Sequence, residues 1–157
     1  ISRIHDLVPD YAAGYATPSL DVRGAIIRGD EILLVKERAD GKWAMPGGFA
    51  DIGHSPAENT EKEVWEEAGL KVKASALYAV RHKAKHSYAA DTRDFYKLFF
   101  ICSELSGTSP VAGSETSEVA FFHKDDLPDL SLDRVIPEDI AAAFFFLETN
   151  ATATRFD

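Results

Sequence analysis

Three glutamates, Glu63, Glu66 and Glu67, stand at positions i, i+3 and i+4. On a helix this spacing sends all three carboxylates to one side. Left alone they repel, at a cost of about 0.2–0.5 kcal/mol per pair. A divalent cation reverses that sign. Mg²⁺ takes oxygen ligands, keeps several waters and completes its shell with substrate phosphate. Upstream, Pro46-Gly47-Gly48 lets backbone approach a ligand closely, and Gly53 permits a second bend. The Gly48 carbonyl is a further oxygen donor, and Lys62 adjoins the cluster and can orient one carboxylate. The chemistry on offer is the binding of a hard cation and, through it, of a phosphate. Three glutamates on a helix would also suit a solvated acidic face.

The elements that must hold these groups are readable around them. Residues 55–68 predict a helix. Ser55 is its cap, Pro56 its first residue and Glu58 the partner in a capping box. Ala57, Thr60 or Glu61, Val64 and Ala68 share one side, and Gly69 is the stop. Before it, Asp21–Ile27 and Ile32–Lys36 read as strands joined by a turn at Arg28-Gly29-Asp30-Glu31, a hairpin. After it, Val72–Val80, Phe95–Ser103 and Val119–His123 read as strands, with a surface loop over residues 104–117. A final helix starts at Pro137 and runs to about Thr149, and Phe144-Phe145-Phe146 packs it on the sheet. Residues 1–20 read as a connector broken by Pro9, Gly14 and Pro18, and 150–157 as a frayed tail. The element order favours an α/β fold with a mixed sheet and helices packed on it.

Composition sets the outer bounds. The 157 residues carry a net charge of −9, with 45% apolar residues. One domain of this size builds a full core without staples. The acidic balance argues against a general nucleic-acid binder. The single cysteine, Cys102, excludes an intrachain disulfide and a cysteine-based zinc site. It sits in an apolar strand and reads as an inert core thiol. The apolar runs Ile140–Leu147 and Leu98–Cys102 are too short to cross a bilayer. The chain opens without Met, so its natural N-terminus is expected to be missing, and no signal peptide is visible. A cytoplasmic location is the expectation.

The stretch Gly48–Leu70 resembles the Nudix box. Gly48, Glu63, Val64, Glu66, Glu67, Gly69 and Leu70 match in register, while His54 stands for a Glu and Lys62 for an Arg. The resemblance implies a Nudix-type α/β/α sandwich with a mixed central sheet over residues 21–149. It also implies water attack on the diphosphate linkage of a nucleoside diphosphate joined to another moiety. Mg²⁺ or Mn²⁺ would be held by Glu63, Glu66, Glu67 and the Gly48 carbonyl. His54 and Lys62 predict weaker metal binding or a higher metal requirement. They also motivate a second reading, a non-catalytic nucleotide-sensing domain. Gly14–Pro18, Asp21–Ala25, Lys85-His86, Glu115–Val119 and Leu130–Arg134 are similar to a bacterial subgroup that carries a helical N-terminal region and includes CDP-choline pyrophosphatases. CDP-choline is therefore the first substrate expected and ADP-ribose the second. A homodimer is implied by the resemblance alone.

Glu67 and Glu66 are the expected catalytic carboxylates, together with Glu118. The base is Glu67 or Glu118, and Glu118 is placed ahead of Glu115. Arg81–His86 is the one basic run, and if extended it sets Arg81, Lys83 and Lys85 on one face. Lys83, Lys85 and His86 are expected to contact substrate, and the run keeps an RNA-processing alternative open. Arg23, in an apolar strand, implies a buried carboxylate partner or a face towards the diphosphate. Among the aromatics, Phe49 is the expected substrate contact, and Trp43 and Tyr96 are assigned to the core.

Overall fold

The computed structural model describes residues 15–157. Most of the expected connector over residues 1–20, and with it the end of any helical N-terminal region, lies outside the described residues.

Strand alternation dictates the layers. In β3 (Glu31–Glu37), Ile32 and Leu34 pack into one core cluster, while Leu33 and Val35 pack into another. All four are fully buried, so this sheet needs a cover on both faces. Helix α1 (Pro56–Ala68) supplies Val64 and Ala68 to one cluster. Helix α2 (Pro137–Glu148) supplies Ile140, Ala143 and Phe144 to the other.

The remaining strands are β1 (Ser19–Ala25), β2 (Ile27–Arg28), β4 (Trp43–Ala44), β5 (Gly47–Phe49), β6 (Val72–His82), β7 (Phe95–Glu104), β8 (Thr116–His123) and β9 (Arg155–Phe156). One sheet runs β5-β1-β7-β6-β9, with β1 parallel to β7 and antiparallel to β5. In the other, β3 pairs with β2, β4 and β8. The architecture is an α/β sandwich with a mixed central sheet.

Helix α1 starts as its sequence dictates. The Ser55 side chain accepts from the Glu58 N–H, the Glu58 carboxylate accepts from the Ser55 N–H, and Gly69 closes the helix at φ 70°. Four expectations need correction. The hairpin joins only Ile27–Arg28 to β3, because β1 pairs with β5 and β7 in the other sheet. The basic run is not extended, because β6 ends at His82 and a 3₁₀ turn follows over Lys83–Lys85. The tail is not frayed. Strand β9 pairs with β6, and the Asp157 carboxylate accepts from the His82 N–H at 2.7 Å. Tyr96 is not core. It is 45% exposed and meets the His82 ring edge-on. Trp43 does pack into the core, edge-to-face on Phe122.

Candidate active site

A cleft of about 530 Å³ opens where β1, β5 and β7 meet α1, a size suited to a small ligand. Strand β1 is its ruler. Phe95 lies opposite Ser19, Phe49 and Lys97 opposite Asp21, and Gly47 opposite Arg23. At roughly 3.3 Å per residue, about 13 Å separate the Ser19 end from the Arg23 end.

Buried charge makes up the Arg23 end. Period-two alternation puts Asp21 and Arg23 on one face of β1. The Arg23 guanidinium donates to both Asp21 oxygens, at 2.9 and 3.2 Å, and to the Met45 carbonyl at 3.0 Å. These bonds use three of an arginine's five N–H donors. From β7, Lys97 donates to the same Asp21 carboxylate. Burial alone would raise the Asp21 pKa, but Arg23 and Lys97 outweigh it and hold Asp21 below the usual carboxylate range. Lys97, only 2% exposed, is pushed down by burial despite Asp21. Arg23 therefore has the buried carboxylate partner its position implied, and it lines the cleft.

Helix α1 brings Glu63 and Glu67 to the same end. Glu67 is 5% exposed, and its Oε2 accepts from the Gly47 N–H at 2.8 Å. Gly47 can be nothing larger, since a Cβ there would lie 1.9 Å from the Val22 carbonyl oxygen. Gly48 sits directly against the Glu63 carboxylate. Burial, followed by the charge of Glu66, pushes Glu63 up to about 7. Burial pushes Glu67 up to about 8; Arg23 opposes that rise and Glu37 adds to it.

The loop between β5 and α1 is tied down by Asn59. Its amide donates to the carbonyls of Asp51, His54 and Ser55, and its Oδ1 accepts from the Asp51 N–H. Lys62 orients carboxylates as its position implied, at 2.6 Å from Asp51 and 3.6 Å from Glu66. Glu66 itself is exposed and is not part of the cleft wall.

The Ser19 end is aromatic and basic. Phe49, 55% exposed, stacks on Phe95 with centroids 5.4 Å apart and planes 7° apart. The Arg93 guanidinium lies over both rings, at 5.7 and 5.1 Å, and Asp91 grips it with two hydrogen bonds. Lys83 also lines the cleft, but it is buried and held by Asp133 at 2.6 Å and Asp91 at 3.1 Å.

Several expected site residues lie elsewhere. Glu118 is paired with Lys36 at 3.7 Å and is not on the cleft wall, whereas Glu115 is. Lys85 sits exposed in the 3₁₀ turn, and His86 binds Asp157 at 2.8 Å outside the cleft. Most of the basic run is neutralised. Arg81 pairs with Asp139, His82 with Asp94, Lys83 with Asp91 and Asp133, and His86 with Asp157. Sequence reasoning overlooked Asp21, Lys97, Arg93 and Glu37. For Lys97 the signal was present, a lone charge within the apolar run Phe95–Cys102.

Among the described residues, no three His, Cys, Asp or Glu side chains form a ready cation cage. The oxygen donors Glu63, Glu67 and the adjoining Gly48 suit a hard divalent ion bound by one or two carboxylates, with waters and substrate phosphate supplying the rest.

Comparison with known proteins agrees with this layout. Residues 18–143 match the NUDIX domain. A Bacillus subtilis (strain 168) protein named "Putative ADP-ribose pyrophosphatase YjhB" is 45% identical over 144 residues, covering 92% of this chain and 69% of that one. The solved structure of a Streptococcus suis 89-1591 ADP-ribose pyrophosphatase superposes with a TM-score of 0.81 at 41% identity, covering 90% of this chain and all of that one. A UDP-X diphosphatase structure superposes with a TM-score of 0.85 at 32% identity, covering 99% of this chain and 74% of that one. With the Glu63-Glu66-Glu67 register on α1, the β1–β7 frame beneath it and the domain match over most of its length, the chain belongs to the NUDIX family and is a pyrophosphohydrolase.

Proposed function

We propose that this protein cleaves the diphosphate linkage of a nucleoside diphosphate joined to a second moiety, with ADP-ribose as the first substrate to test. The observation that carries this reading is the division of the cleft along β1. The exposed aromatic face of Phe49, level with Asp21, suits a planar base, and the Arg23 level two residues further along β1, about 7 Å away, suits a diphosphate. The names of the similar proteins support the ADP-ribose assignment. The expectation that placed CDP-choline first finds no support among them, so CDP-choline becomes a second compound in the panel.

Glu63 and Glu67, with the Gly48 carbonyl, would hold Mg²⁺ or Mn²⁺, while Glu66, expected beside them, faces Lys62 outside the cleft wall. The ion would supply positive charge that offsets the phosphate oxygens and the leaving group. The chain's own residues do the remaining work. Arg23, fixed by Asp21 and Met45, presents its remaining N–H donors to a phosphate without needing to reorganise. Phe49, backed by the buried Phe95 and flanked by Arg93, stacks on the base and sets its distance from the charged end. Glu67 is the better-placed base, because it lines the cleft while Glu118 is engaged by Lys36. It would accept the proton of the attacking water at its carboxylate.

The test is phosphate release from a panel of nucleoside diphosphate derivatives, with a coupled phosphatase and either metal. Turnover of ADP-ribose, abolished in Glu67→Gln, is the expected result. If no compound turns over with either metal, the hydrolytic reading fails and the nucleotide-sensing alternative takes its place. Which nucleotide raises the melting temperature would then be the question.

A further inference from the structure

Two buried side-chain atoms among the described residues lack a hydrogen-bond partner, Arg81 Nε and Glu37 Oε1. Arg81 Nε still lies 3.0 Å from an Asp139 oxygen. The nearest cation to Glu37 Oε1 is Arg134 Nε, at 3.8 Å. Glu37 is 5% exposed. A carboxylate taken this far from water without hydrogen bonds is costly, and its presence calls for a ligand or a role.

Its placement is specific. Glu37 ends β3 on the same face as the buried Leu33 and Val35, the face covered by α1. The β3–β8 ladder is irregular at this point. Lys36 pairs with Glu118 and Glu37 with Thr116, so Ser117 is skipped. The extra residue lies on β8, and bulges of this kind are frequent beside active sites. Thr116 is fully buried, and its hydroxyl donates to the Glu67 carbonyl at 2.9 Å. Thr116 therefore links the backbone of Glu67 to the strand position facing Glu37. Both carboxylates line the cleft.

Nearby cations act on Glu37 through space, Arg134 at 3.8 Å, but none hydrogen-bonds its Oε1. The Arg23 guanidinium is bonded to Asp21 and Met45. Arg134 donates to Asp40 at 3.2 Å and to the Ser131 hydroxyl at 2.9 Å. Each is held without it.

We propose that Glu37, which lies outside the Gly48–Leu70 motif, is a further carboxylate of the cation site and acts beside Glu63 and Glu67. This rests on the divalent-cation reading above. It makes Glu37 a determinant of cation affinity contributed by a strand rather than by α1.

The test is Mn²⁺ binding followed by the paramagnetic resonance signal of free Mn²⁺, without nucleotide, on the whole protein. Wild type, Glu37→Gln and Glu67→Gln are compared, and the melting temperature in chelator is recorded for each. The expected result is at least a fivefold loss of Mn²⁺ affinity in Glu37→Gln, with a melting temperature in chelator equal to or above wild type. A loss of Mn²⁺ affinity smaller than fivefold overturns the proposal. A drop in melting temperature with unchanged affinity also overturns it, since that marks a purely structural carboxylate. If Glu37→Gln does not fold, Glu37→Asp is judged on the same affinity criterion. Loss of binding in Glu67→Gln but not Glu37→Gln refutes this inference alone. Absence of binding in wild type refutes the cation reading with it.

Discussion

The two ends of the cleft are built on different principles. At the Arg23 end, Asp21, Arg23, Lys97 and Glu67 stand on strands and on α1, are nearly fully buried, and are fixed by backbone or charged partners. Glu67 is held by the Gly47 N–H, Arg23 by Asp21 and Met45, and Asp21 also by Lys97. At the Ser19 end, Phe49 and Arg93 are exposed and come from a short strand and a loop. Rigid, desolvated groups suit chemistry, where charge must be positioned in advance. Exposed rings on adaptable segments suit the choice of base. Substrate range within this architecture is thus expected to vary at the aromatic end while the charged end stays fixed.

The largest expected effect breaks the charged end. Glu67→Gln should lower kcat by about 10²–10³-fold, the scale for losing one preorganised electrostatic group, as measured by steady-state phosphate release. Next is the support beneath it. Lys97→Met leaves Asp21 buried with Arg23 alone and should cost about 3 kcal/mol. Thermal denaturation should then fall by roughly 10 °C.

A third effect follows from proton linkage. Glu67 and Glu63 in the folded chain titrate near 8 and 7, both above the ordinary 4.5. Between these values the folded state binds more protons than the unfolded one, so stability falls as pH rises. The metal-free protein should lose several degrees of melting temperature from pH 5 to pH 8.5, with most of that slope gone in Glu67→Gln. A divalent cation should restore stability at the upper pH.

The smallest effect sharpens the comparison. Phe49→Ala removes one stacking face worth about 0.5–1.5 kcal/mol. It should raise KM about three- to tenfold while leaving kcat within about twofold, and should narrow the difference between nucleotides carrying different bases.

What was legible in the sequence follows the same division. Helix α1 was readable from end to end, because Ser55, Pro56, Glu58 and Gly69 act through local backbone chemistry. The placement of Glu63 and Glu67 on one cleft followed from helical spacing and the box register. Lys97 could be flagged as an anomaly but not paired, since its contact with Asp21 depends on the β1–β7 register across 76 residues. Glu37 was hidden because a glutamate next to Arg38-Ala39-Asp40-Gly41 reads as turn chemistry, although alternation with Leu33 and Val35 turns it inward. Tyr96 was misassigned although alternation held the answer. Phe95, Lys97 and Phe99 form the buried row of β7, which leaves Tyr96 on the other face. The docking of β9 depends on an open edge of β6, which no local pattern reveals.

The most direct test of the division is the pair of steady-state constants for ADP-ribose hydrolysis in Glu67→Gln and Phe49→Ala, measured side by side with wild type. The account predicts a collapse of kcat in Glu67→Gln, and a raised KM with nearly unchanged kcat in Phe49→Ala. A Glu67→Gln enzyme that keeps kcat within tenfold, or a Phe49→Ala enzyme whose kcat collapses, would contradict it.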